Sequence, residues 1–104
     1  EIDAMLGIDG VRLTTVKLSA QDNNVLELLY FHSHRDKKSW KGSPFSTGFT
    51  HLALTVSDVD SLYKKLIGRI GFARAHPQRS VDGKVKAVYV RGPENILIEL
   101  VEEL

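Results

Sequence analysis

An α+β fold made of βαβββ modules is what this sequence of 104 residues predicts, on three observations. Two segments 72 residues apart repeat one another without a gap, residues Phe49 to Val56 alternate as a strand does, and the apolar residues after them recur at helical spacing. The repeat lays Val11 to Leu29 over Gly83 to Val101. It matches Arg12 with Lys84, Leu13 with Val85, Val16 with Val88, Leu18 with Val90, Asn23 with Asn95, Leu26 with Ile98, Glu27 with Glu99 and Leu28 with Leu100. In each copy a β-rich run enters a polar turn (Ala20 to Asn24, Gly92 to Asn95) and leaves it as a second alternating run, which is the pattern of a hairpin.

The elements between the hairpins follow in order. Residues His32 to Gly48 are polar, charged and punctuated by Gly42, Pro44 and Gly48, so they read as a linker. Phe49 to Val56 reads as a strand, with Leu52, Leu54 and Val56 on one face and Phe49, His51, Ala53 and Thr55 on the other. A helix follows, with Ser57 as N-cap, Asp60 as its capping partner, and Val59, Leu62, Leu66 and Ile70 on one stripe up to Gly68 or Gly71. A short strand around Phe72 to Ala75 and a loop from His76 to Gly83 lead into the second hairpin. Residues 48–104 thus form one complete βαβββ module, 1–34 a partial one and 35–47 the linker, together making one domain. The counterpart of His51 in the first copy falls more than twenty residues upstream of Glu1, so the first module lacks its leading strand and helix, and the sequence reads as a piece of a longer chain.

Composition narrows the function. A single core is all that a chain of this size supports, since it buries only about two-thirds of its unfolded surface, and support from a partner subunit is expected. Fourteen basic against thirteen acidic side chains leave a net charge of +1, which speaks against a nucleic-acid partner. The longest uninterrupted apolar run, of which Leu28 to Phe31 is an example, is four residues, too short for a membrane span or a signal-peptide core. A soluble, cytoplasmic protein is expected. Without cysteine, thiolate metal sites, iron–sulfur clusters and cysteine nucleophiles are excluded, so any metal must sit on His, Asp or Glu.

Three segments carry a resemblance to a known family. Gly48 to Leu66 (GFTHLALTVSDVDSLYKKL), Ala87 to Glu102 (AVYVRGPENILIELVE) and Gly7 to Phe31 (GIDGVRLTTVKLSAQDNNVLELLYF) resemble the vicinal oxygen chelate superfamily, which includes glyoxalase I, methylmalonyl-CoA epimerase, extradiol dioxygenases and the bleomycin resistance proteins. The resemblance implies paired βαβββ modules whose sheets curl into an open barrel around a cavity. It also implies a divalent metal held by residues of the first and last strands of each module, which map here to Glu27, His51 and Glu99. The fourth ligand would come from the leading strand that the first module lacks. Glutamate at both last-strand positions favours the glyoxalase-like version, a lyase or isomerase in which Glu27 or Glu99 moves a proton, over the dioxygenase-like one. A metal-free, bleomycin-resistance-type binding module that takes its ligand between subunits is the alternative.

The residues themselves agree. His51 lies on the strand face away from the helix stripe, so it is aimed at the concave side. Glu99 alternates with Ile98 and Leu100 and shares its face with Leu97 and Val101. A lone carboxylate buried there costs on the order of several kcal/mol, so a cation or a donor is expected opposite it. Imidazole with carboxylates suits Zn, Fe(II), Mn, Co or Ni. Lys17 and Tyr89 occupy one repeat position, out of phase with the core pairs, and are expected to line the cavity together with Arg91, which is placed to hold an anionic substrate group. His32 and His34 share a face at strand spacing but have no carboxylate near them in sequence, and they read as a solvated linker start or as ligands filling the vacant position. Trp40 among Lys37, Lys38 and Lys41 reads as an anchor for a subunit contact or a lid. An incomplete barrel leaves apolar strand surface and an open edge, so a homodimer is expected.

Overall fold

The structure is a computed structural model and describes residues 2–36, 43, 45–69, 71–72 and 76–104. It consists of two compact units, Glu1–Lys38 and Ser39–Leu104. Most of the expected linker, including Lys37, Lys38, Trp40, Lys41, Gly42 and Pro44, lies outside the described residues, as do Ile70 and residues 73–75.

The first unit holds a short helix α1 (Ile2–Leu6) and the antiparallel hairpin β1 (Leu13–Ser19) and β2 (Val25–Phe31). Five residues are too few for helical periodicity to show in a sequence, and α1 was not expected. Its Asp3 carboxylate accepts the backbone N–H groups of Gly10 and Val11 at 2.9 and 3.0 Å, which ties the helix to the entry of β1.

The second unit runs β3 (Leu52–Thr55), α2 (Val59–Leu66), β4 (Gly71–Phe72), β5 (Gln78–Arg79), β6 (Val85–Arg91) and β7 (Leu97–Glu103). Its sheet has the order β3-β7-β6-β4, with β5 also paired to β6, and β3 runs parallel to β7 while the other pairs are antiparallel. This is the α+β, strand-helix-strand-strand-strand order that the sequence predicts, with the short β5 added between β4 and β6. No helix among the described residues is long and apolar enough to cross a membrane.

The repeat holds to the residue. β6 and β7 begin and end 72 positions after β1 and β2, and the pairing Leu13↔Phe31 through Ser19↔Val25 recurs as Val85↔Glu103 through Arg91↔Leu97. Both turns close alike. Ala20 N–H donates to Asn24 C=O at 2.8 Å and Gly92 N–H to Ile96 C=O at 2.7 Å, while Asn23 and Asn95 both take left-handed backbone, φ 66° and 63°. Asparagine tolerates that conformation better than most residues, which explains its recurrence at this point of the repeat.

Three boundaries differ from expectation. β3 is confined to Leu52–Thr55 because its partner β7 starts at Leu97 and the register sets Leu52 beside Ile98, so residues before His51 have no strand to pair with. Beyond its far end, Val56 N–H still donates to Val101 C=O at 2.8 Å. Asp58, not Ser57, caps α2: its carboxylate accepts the N–H and the hydroxyl of Ser61, at 3.1 and 2.8 Å, and these bonds hold its carboxyl below the usual aspartate range. Gln78–Arg79, expected as loop, pairs with Lys86 and Ala87, because Asp82 and Gly83 close a tight turn in which Asp82 accepts from Ser80 Oγ and Lys84 N–H and Gly83 takes φ 71°.

The core lies between α2 and one face of the sheet. Val59, Val88, Val90 and Leu100 are buried there, with Val56, Leu62, Tyr63, Leu66 and Ile98 packed around them. Two polar ties seat the helix: Lys86 Nζ lies 2.6 Å from Asp60 Oδ2, and Glu102 Oε1 accepts Val59 N–H at 2.8 Å. The same face of the first hairpin has a different fate. Val16, Leu18 and Leu28 are 45–49% exposed, whereas their repeat counterparts Val88, Val90 and Leu100 are 5% exposed or less. One apolar pattern is covered by a helix in the second unit and open in the first.

Candidate functional site

Because α2 takes the even-numbered side chains of β6 and β7, the odd-numbered ones face the other way. There Glu99 is directly paired with Tyr89 on β6 and with Ala53 on β3. His51, two residues before Ala53 and so in the same phase, completes the group. Its Nε2 is 3.3 Å from Glu99 Oε1, and its ring meets the Tyr89 ring edge-on, 5.1 Å between centroids at 76°. The Tyr89 hydroxyl is hydrogen-bonded to the Glu99 carboxylate. Burial, then the charge of Glu99, then that bond push the Tyr89 phenol above its ordinary value, so it is a neutral donor throughout the physiological range. The donor expected opposite Glu99 is therefore present as the phenol, and the imidazole stands beside it.

Thr50 was not singled out in the sequence, and the structure places its Oγ1 2.8 Å from His51 Nδ1. A hydroxyl both donates and accepts. If it donates to Nδ1, Nε2 carries the hydrogen and binds Glu99 directly. If it accepts from Nδ1, the Nε2 lone pair faces the carboxylate, an arrangement that calls for a cation between them. No sequence pattern signals such a contact between neighbours, since it depends on the side-chain and backbone angles at the entry to β3.

A cleft of about 520 Å³ opens beside the group, lined by Phe49, Thr50, His51, Leu52, Ile96 and Leu97. Leu97 is buried, Ile96 and Phe49 are exposed. The remaining candidates are not among the residues that line this cleft. Lys17 and Glu27 face one another across the first hairpin, the repeat counterparts of Tyr89 and Glu99, and both are exposed in that unit. The Arg91 guanidinium donates to Asn95 C=O at 3.3 Å, the turn of its own hairpin. His32 Nε2 lies 2.7 Å from Thr14 Oγ1, and His34 Nδ1 2.9 Å from Ser33 Oγ. Among the described residues no group of three or more His, Asp and Glu side chains gathers as a metal site; the structure assembles the pair His51 and Glu99.

No protein-family model matches the chain, and no curated protein does. Solved structures do. A glyoxalase family protein from Bacillus cereus matches with a TM-score of 0.85 at 22% identity, over 99% of this chain and 70% of its own. A glyoxalase/bleomycin resistance protein/dioxygenase from Alicyclobacillus acidocaldarius matches with a TM-score of 0.54 at 22% identity, over 98% of this chain and 80% of its own. The likeness is one of fold, and it agrees with the resemblance to the vicinal oxygen chelate superfamily read from the sequence.

Proposed function

We propose, on the premise of that fold, that the chain carries part of a divalent-metal site and serves lyase or isomerase chemistry of the glyoxalase type on a small organic substrate with two neighbouring oxygens. The observation that carries this is the 3.3 Å separation of His51 Nε2 and Glu99 Oε1. Two ligands each about 2.0–2.2 Å from one ion stand roughly 3.0–3.5 Å apart, so the pair fits adjacent positions around a metal without rearrangement. His51 and Glu99 would hold the ion, with Glu27 of the repeat-related hairpin, from the same or a second copy, as the third ligand. The ion supplies Lewis-acid stabilisation of a developing oxyanion. Glu99 is the carboxylate that takes up and returns the proton beside it, Tyr89 donates to that carboxylate, and Thr50 orients the imidazole. Lys17 and Arg91 are the cationic side chains proposed to meet an anionic part of the substrate.

Titrating the chain with Zn, Ni, Co, Mn and Fe(II) tests the proposal. Uptake of at least one ion is expected, weakened about 100-fold or more in Glu99→Gln, because loss of a ligand exceeds the roughly 10–100-fold cost of losing a residue that only supports one. Equal uptake by both chains would overturn it. The direct contact of His51 with Glu99 favours a second reading, a metal-free binding module, and the absence of any uptake would select it.

Self-association belongs to the same proposal. The exposed apolar face of the first hairpin, which among the described residues is a sheet of its own two strands, invites a second copy. Light scattering at micromolar concentration is expected to give a dimer; a monodisperse monomer would refute it.

A further inference from the structure

The cleft beside His51 has a one-ended polarity. Among the described residues its walls are Phe49, Leu52, Ile96 and Leu97, and its polar linings are Thr50 and His51, with Glu99 in contact with the imidazole. A volume of about 520 Å³ falls within the roughly 300–1,000 Å³ of small-molecule sites. Phe49 is 97% exposed, a large apolar side chain that its own unit leaves in water, and Ile96 beside it is 39% exposed. Covering apolar surface of this kind is favourable by about 25 cal/mol per Å². The carboxylate next to the polar end disfavours an anionic head group unless a cation intervenes, and it accepts from a neutral hydroxyl.

We infer that this cleft takes the apolar body, aromatic or branched aliphatic, of a small hydroxylated ligand whose oxygen meets His51 and Glu99. The inference rests on the reading of the site given above and adds the substrate class to it. Phe49 and Ile96 then set specificity for the body, and His51 with Glu99 takes the oxygen.

p-Cresol, which joins a neutral hydroxyl to an aromatic body, is a suitable probe for the metal-free chain, with 1,2-propanediol as a hydroxylated probe of little apolar body. Amide chemical shifts followed by NMR are expected to saturate with p-cresol at residues 49–52 and 96–97 and to show no saturation with propanediol at the same concentrations. Phe49→Ser with Ile96→Ser is expected to weaken p-cresol binding at least tenfold, with amide shifts away from the cleft unchanged; Phe49→Ser alone, at a side chain 97% exposed, serves as the variant least able to disturb folding and is expected to weaken it about threefold or more. Saturable shifts centred elsewhere, no saturation with p-cresol, or unchanged affinity in both variants would overturn the inference. The metal titration separates the two ideas. If the chain takes up no ion while p-cresol still saturates the cleft, the metal reading fails and the cleft stands; if ions bind and p-cresol does not, the reverse holds.

Discussion

Leu100→Ala is expected to destabilise the second unit by about 3 kcal/mol, while Leu28→Ala, at the same position of the repeat, costs the first unit less than about 1 kcal/mol. Leu100 is 5% exposed between α2 and the sheet, so truncation removes its transfer free energy and leaves a cavity that Val59, Val88 and Val90 cannot close. Leu28 is 45% exposed, and truncation there leaves water where the methyl groups were. Both residues occupy the centre of a seven-residue strand with the same register, so strand propensity and cross-strand pairing cancel in the comparison. Urea unfolding of the dilute, monomeric protein, followed by amide signals from each hairpin, reads the two effects separately. The proposed dimer adds a second expectation: Leu28→Ala shifts its dissociation constant, and Leu100→Ala does not beyond its effect on folding. Equal unfolding costs for the two substitutions in the monomer would show that the first hairpin's apolar face is covered in solution.

His51→Ala is expected to lower divalent-metal affinity by more than about 100-fold, and Thr50→Val by about 10-fold. The first removes a ligand nitrogen 3.3 Å from the carboxylate, leaving Glu99 with the Tyr89 hydroxyl as its remaining polar neighbour in this group. The second keeps side-chain volume and removes the hydroxyl 2.8 Å from Nδ1, so the metal-bound imidazole would lose the acceptor for its Nδ1 hydrogen. Thr50→Ser restores the hydroxyl and is expected to recover most of the affinity, a rescue that a purely structural role of Thr50 would not show. Competition titration against a chromogenic chelator measures all three variants. An unchanged affinity in His51→Ala would remove that residue from the site, and a Thr50→Ser variant as weak as Thr50→Val would remove the tautomer argument.

Much of this molecule is legible in the residues alone. The ungapped repeat and its polar turns determined two hairpins of one kind, because hairpin formation is a short-range consequence of turn chemistry and alternation, and the structure supplied their ends and register. Period-two alternation likewise put His51 and Glu99 on the face turned away from α2 and Tyr89 out of phase with the core pairs, while the strand register set Tyr89 opposite Glu99. Tertiary structure decided the rest. Where β3 begins depends on where β7 begins. The first N–H of α2 is met by Glu102 from a strand 43 residues away, and Asp58 in place of Ser57 caps the helix. The orientation of the imidazole depends on the hydroxyl of Thr50 beside it, a contact that the local geometry at the entry to β3 creates. Above all, Val16, Leu18 and Leu28 match Val88, Val90 and Leu100 in the repeat yet stay exposed, since burial belongs to what lies across from a side chain and not to the side chain itself.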